Sequence, residues 1–321
     1  MNEAPFPDRT TGRPLRVEVP AGIFAPQRLP AFIPLDPIGD PVVIGHHWLE
    51  DCVGERVSIT PADAPAFRAY LRLHLRDILA TDAVPLVDRA WAAHRALLHE
   101  VAFLFAAGVD GRPQELIEAC RALVELMRAH FEPDTLFRSL RVDAPQTPVV
   151  HAVETAIGAL AVALADGQRS TMALTTIAAA GAVADSGLLD LPRELRERAV
   201  LGPMELKAVQ RHPDLAIRRM HRWGLVAPEA LRAVHHHHER WDGEGYPSRL
   251  VGAEIPVEAR YLAIADTYSA LTMSRRGNPR LSRGDALREM ARSTGQFDPA
   301  LLRILVHLLA GQPAPVEEPA A

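Results

Sequence analysis

The residues best suited to chemistry in this chain are histidines and aspartates set into otherwise apolar, helix-forming stretches. His151 opens HAVETAIGALAVALA, Asp185 ends an Ala-rich helix in AAAGAVADSGLLDLP, and His212 lies in ELKAVQRHPDLAIRRM. His237 and His238 end EALRAVHHHHE, and Asp266 sits inside ARYLAIADTYSALT. A carboxylate in a helix as apolar as the last is costly to bury unless it is paired or binds a cation. Taken singly, Asp266 reads equally well as a helix-surface group, and His151 or His212 as a satisfied core or surface histidine. Taken as a set, imidazoles and carboxylates supplied by several helices are how non-haem dinuclear metal centres are built in helical bundles. Such donors suit iron, manganese or another first-row divalent ion, and the lack of a cysteine cluster disfavours structural zinc.

The elements that must position these residues are mainly helical. Residues 1–61 hold short β-favouring runs, LRVEV, FIPL, PVVI and RVSIT, punctuated by proline and turn residues, which predicts a short β-containing segment. From Thr60 the pattern turns helical, with further helices expected near 83–107, 113–131 and 133–141. VDAPQTPV, residues 142–149, carries two prolines and reads as a linker. Helical pattern then returns over about 150–165, 169–184, 203–223, 227–239, 257–275, 282–294 and 298–310. The expected division is a β-containing segment (1–61), a helical regulatory or dimerisation region (62–141), a helical bundle carrying the histidines (142–311) and a disordered tail (312–321).

The 321 residues suffice for two domains, and 48% hydrophobic with 23% charged residues is a globular balance. A net charge of −5 argues against binding a nucleic acid polymer as the main task. Two cysteines, Cys52 and Cys120, make neither a zinc ribbon nor a disulfide framework, so a reducing cytoplasm is expected. The N-terminus lacks the apolar core of a signal peptide, and the most apolar tract, 156–165, is too short to cross a bilayer, so no membrane association is expected.

His235–His238 has the look of an affinity tag, but the run lies three-quarters of the way along the chain and continues into ERWDGEGYP. The string from His237 to Pro247, HHERWDGEGYP, closely resembles the signature of HD-GYP domains, a branch of the HD phosphohydrolase superfamily. The similarity extends through GAEIPVEARYLAIADTYSALT and GQFDPALL, and upstream to HAVETAIGALAVALA and RHPDLAIRRM, covering about residues 140–310. The resemblance makes the histidine run native and implies an HD-type helical bundle holding two divalent transition-metal ions, iron or manganese. By its pattern the ligands are His151, Asp185, His212, His237, His238 and Asp266, with Asp185 bridging as a catalytic residue. Glu239, Asp242, Gly243, Gly245, Tyr246 and Pro247 shape the loop after the helix, with Gly245, Tyr246 and Pro247 toward substrate, and Arg275 occupies the place of a phosphate-binding arginine, with Arg276 and Arg280 nearby. The implied activity is hydrolysis of cyclic di-GMP to pGpG or GMP.

The sequence departs from that family's pattern at its namesake motif. Where the family carries His-Asp followed by Gly-Lys, this chain reads Ala184-Asp185-Ser186-Gly187-Leu188. Alanine cannot coordinate, so one metal position loses a ligand and a single bound ion becomes an alternative. Leucine removes an ammonium expected near the phosphate or leaving group, and general-acid help is worth about 10² to 10⁴ in rate. Two readings follow: a phosphodiesterase with weakened activity, in which His235 or His236 could stand in for the lost ligand, or a degenerate module that responds to a cyclic dinucleotide or binds a signalling protein. The region before residue 142 shows no receiver-type acidic pocket and no glycine-rich nucleotide loop.

Overall fold

The computed structural model describes residues 17–20, 56–59, 64–82, 84–108, 113–130, 147–196, 198, 200–273 and 280–310. Strands β1 (Val17–Pro20) and β2 (Arg56–Ile59) pair antiparallel, Val17 opposite Ile59. Among the described residues, everything else that is regular is helical. Helices α1 (Ala64–Ala80), α2 (Leu86–Ala107) and α3 (Gln114–Ala129) pack on one another. The expected helix at 133–141, the tail from 312, Cys52, Arg275 and Arg276 lie outside the described residues.

The centre of the molecule is α4 (Pro148–Ala165), buried along nearly its whole length. A helix apolar on all faces must be enclosed. It is covered by α5 (Thr171–Val183), by α10 (Val257–Thr272) and by α2, while α3 packs on α5. Local chemistry fixes where these helices begin. The Thr147 hydroxyl accepts from Val150 N–H at 3.2 Å with Pro148 in the first turn, and Ser170 caps α5 in the same way. The stretches Pro148–Ala165 and Thr171–Asp190 prove long and apolar enough to cross a membrane, correcting the ten-residue estimate; 78% and 67% of them are buried inside the chain.

After α5 the chain tightens into a 3-10 segment, Ala184–Asp190, followed by α6 (Arg193–Arg196), α7 (Pro203–Val209), α8 (His212–Trp223) and α9 (Pro228–His236). The single helix expected over 203–223 is therefore two. Pro213 has no N–H to continue the ladder to Val209, and its ring disfavours the interior of a helix. Gly224, in the left-handed region at φ 79°, ends α8. The Trp223 indole N–H donates to the Gly108 carbonyl, joining α8 to the end of α2. Helices α11 (Arg283–Arg292) and α12 (Pro299–Ala310) close the bundle against α4 and α10.

Candidate metal centre

Six side chains from five segments converge. His151 comes from the first turn of α4 and Asp185 from the 3-10 segment. His212 opens α8, His237 and His238 stand at the end of α9, and Asp266 lies midway along α10. Two donor groups result, Asp185–His212–His237–His238 and His151–Asp185–Asp266, and within each the ligand atoms lie within 4.8 Å of one another. Asp185 belongs to both. Its Oδ2 is 3.4 Å from His151 Nε2, and its Oδ1 is 3.3 Å from His212 Nε2 and 3.6 Å from His237 Nε2. Asp266 Oδ1 is 2.8 Å from His151 Nε2.

The imidazoles are oriented from behind. His212 Nδ1 is 2.8 Å from the Val209 carbonyl and His237 Nδ1 is 2.6 Å from that of Val234. A carbonyl only accepts, so each Nδ1 carries a proton and each Nε2 is the nitrogen turned toward the centre. Those two Nε2 atoms face each other at 3.3 Å, and His238 Nε2 lies 3.1 Å from that of His212. Nitrogens turned together at these distances need a proton or a metal cation among them, and the proton that serves in the ion's absence is the one an ion would displace. The donor set therefore fits a divalent ion bound by nitrogen and carboxylate oxygen.

Electrostatics agree with this reading. Burial, reinforced by the neighbouring His237, pushes His238 down to about 3, leaving it a neutral donor. Burial would also lower His151, but hydrogen bonds with Asp185 and Asp266 outweigh it and raise its pKa to about 10. Burial likewise disfavours ionised Asp185, yet hydrogen bonds from His151, His212 and His237 hold it well below the usual carboxylate range. Two carboxylates and their imidazoles thus form a compact charged nest inside an apolar bundle.

The loop after α9 is shaped around this nest. The Tyr246 ring stacks on His238 with centroids 4.9 Å apart and an angle of 26°. A Cβ at Gly245 would come 2.3 Å from Arg240 N and 2.5 Å from Glu239 Cα, so only glycine fits. Pro247 follows, exposed. The Glu239 carboxylate, buried, accepts from the backbone N–H groups of Ser248 (2.6 Å), Arg249 (3.1 Å) and Leu250 (3.2 Å). The family signature names Glu239 among the residues that shape this loop, but not the three N–H partners through which it does so.

Ala184 is buried and contributes only a methyl group, while Leu188 is half-buried. Neither His235 nor His236 belongs to either donor group. His235 Nε2 turns to Asp214 at 3.0 Å, and His236 Nδ1 lies 3.7 Å from Glu239 Oε1. Two residues that the sequence reading passed over also contact the centre: Ser269 Oγ lies 2.9 Å from His151 Nδ1 and 3.2 Å from Glu154 Oε2. The sequence sets each one helical turn from a ligand, Glu154 after His151 and Ser269 after Asp266, but not against each other.

Comparison with known proteins agrees with this architecture. Residues 143–301 match the family model described as HD domain. Over 264 residues the chain is 30% identical to the cyclic di-GMP phosphodiesterase PA4108 of Pseudomonas aeruginosa, covering 80% of this chain and 61% of that protein. Over 129 residues it is 33% identical to the 3'3'-cGAMP-specific phosphodiesterase 2 of Vibrio cholerae, covering 38% of this chain and 24% of that protein. The chain thus spans about three-fifths of the length of the first relative and a quarter of the second. Among solved structures, the fold is similar to Bd1817, an HDG"Y"P protein from Bdellovibrio bacteriovorus, with a TM-score of 0.63 at 14% identity, over 92% of this chain and 98% of that one.

Proposed function

The chain belongs to the HD-GYP branch of the HD domain family, and on that premise we propose that it is a metal-dependent phosphodiesterase that hydrolyses cyclic di-GMP to pGpG or GMP. The observation that carries this reading is the double use of Asp185, one of whose oxygens faces His151 while the other faces His212 and His237. Divalent ions in such a site polarise a phosphodiester and generate hydroxide from bound water at neutral pH. Asp185, His212, His237 and His238 form the fuller donor set, while His151, Asp185 and Asp266 form a poorer one because Ala184 supplies nothing. Two iron or manganese ions are the expected complement, with a single ion in the fuller set as the alternative. Arg275 is assigned to the phosphate by its place in the sequence. Tyr246, held against His238, borders the side from which a nucleotide enters, and Gly245 and Pro247 set the path of that loop.

Cyclic di-GMP is preferred as substrate because the relative matched over 264 residues bears that name, and 3'3'-cGAMP is the alternative offered by the Vibrio cholerae relative. A second reading rests on Ala184 and Leu188, two apolar residues where a ligand and a cation would assist catalysis. In it the domain binds a cyclic dinucleotide or a signalling protein without cleaving, and residues 62–141 transmit the signal or form a homodimer. The separating experiment loads the protein with Mn²⁺, or with Fe²⁺ under reductant, and follows cyclic di-GMP by chromatography. Formation of pGpG that disappears in His237→Ala supports the enzyme. Calorimetric nucleotide binding without product under every loading replaces it with the second reading.

A further inference from the structure

We propose that Ser269, backed by Glu154, is a positioning residue that fixes which nitrogen of His151 faces the metal, an inference that rests on the metal-site reading above. Helices α4 and α10 lie side by side, Gly158 against Ala265, and each presents a ligand followed one turn later by a polar side chain. His151 is followed by Glu154, and Asp266 by Ser269. The four side chains meet across the helix–helix interface: His151 Nδ1 to Ser269 Oγ at 2.9 Å, Ser269 Oγ to Glu154 Oε2 at 3.2 Å, and His151 Nε2 to Asp266 Oδ1 at 2.8 Å.

The direction of this chain follows from what each group can do. A carboxylate only accepts, so the Ser269 hydroxyl proton goes to Glu154, in preference to the weakly accepting Met273 sulfur 3.3 Å away. With its proton spent, the Ser269 oxygen accepts from His151 Nδ1–H. His151 Nε2 is then the coordinating atom, 3.4 Å from Asp185 Oδ2. His212 and His237 obtain the same tautomer from backbone carbonyls, which no substitution removes. His151 obtains it from a side chain, on the side of the centre that Ala184 has already left one ligand short. There, the wrong tautomer would remove one of only three donors.

The test compares wild type, Ser269→Ala, Ser269→Thr and Glu154→Ala by equilibrium dialysis with Mn²⁺ and by ¹⁵N NMR of the histidines in the Zn²⁺-loaded protein. Loss of such an outer partner typically weakens metal binding about 10- to 100-fold. Ser269→Ala is expected to lose affinity in that range and to show His151 no longer held as the Nδ1–H tautomer. Ser269→Thr, which keeps the hydroxyl, is expected to restore both readouts, and Glu154→Ala to give a smaller loss in the same direction. Unchanged Mn²⁺ affinity and an unchanged His151 tautomer in Ser269→Ala would overturn the proposal. So would a loss that Ser269→Thr fails to restore while its thermal stability matches wild type. Wild type that binds no Mn²⁺ would instead reject the metal-site reading itself.

Discussion

Gly187 sits so close to the start of α8 that a Cβ built on it would lie 2.0 Å from the carbonyl oxygen of His212 and 2.6 Å from Ala216 N. The segment carrying Asp185 is thereby pressed against the helix carrying His212, and their 3.3 Å approach depends on that contact. Gly187→Ala is predicted to push the two apart. Overpacking of this kind costs about 1–3 kcal/mol, so the melting temperature should fall by several degrees and metal content should fall with it. Differential scanning calorimetry and elemental analysis on the same sample check both.

The two pairs of histidines in the run should behave differently. His238→Ala removes a donor from the fuller cluster and is predicted to abolish tight Mn²⁺ binding. His235 pairs with the exposed Asp214 and packs edge-on against His236, and exposed ion pairs are worth about 0.2–1 kcal/mol. His235→Ala should therefore leave metal content unchanged and stability nearly so. Parallel metal titrations of the two variants decide the matter.

Metal binding should be linked to protons. Without an ion, His151 has its pKa raised from 6.5 to about 10 by its aspartate partners, net of the opposing effect of burial. A group raised in the folded state stabilises it fully below its unfolded value, and that contribution is lost as pH climbs through the folded value. The metal-free protein should accordingly lose stability between pH 6.5 and about 10, whereas the loaded protein should not show this component. Conversely, Mn²⁺ has to displace the His151 proton, so affinity should rise over the same interval with proton release. Calorimetry in buffers of differing ionisation enthalpy measures the release. Its absence would mean that His151 is not a ligand.

How much of this was legible in the sequence differs from residue to residue. The six converging side chains stood out because each breaks an apolar helical pattern, and burial of such groups demands a partner. The break between α7 and α8 was not anticipated, although Pro213 was in plain view. The period of apolar residues continues through 203–223, and only the tertiary structure shows Val209 giving its carbonyl to His212 instead of to the helix ladder. Ser269 and Glu154 were missed for a related reason. Their roles depend on how α4 faces α10, a relation between segments more than 100 positions apart, which no single-helix pattern encodes. Glu239 was seen as part of a motif, but its three backbone partners lie in the loop that follows and depend on the folded turn.

That turn supplies another prediction. The buried Glu239 carboxylate receives three N–H groups from 248–250, and hydrogen bonds to charged groups are worth about 1.5–3 kcal/mol each. Glu239→Gln keeps the size but offers one accepting oxygen, so it should loosen the loop, lower the melting temperature and free Tyr246 from its stack on His238. Faster amide exchange at residues 248–250, with little change in α4, is the expected signature.

Restoring the family motif should act in the opposite sense. Ala184→His with Leu188→Lys returns an imidazole to the poorer cluster and an ammonium near it. If those replacements limit the protein, the double variant should bind more metal and cleave faster, by up to about 10² to 10⁴-fold for the general-acid share. Equal metal content and rate in both proteins would show that the native site does not lack them.

The most direct test of the central claim, that this nest of imidazoles and carboxylates is a metal centre serving phosphodiester cleavage, is Mn²⁺ stoichiometry and pGpG formation measured on one preparation. The account predicts at least one tightly held ion per chain and a rate that follows occupancy, with both lost together in His238→Ala and reversed by removal and return of the metal. Cleavage that proceeds undiminished in excess chelator, or a wild-type protein that takes up no divalent ion, would contradict it.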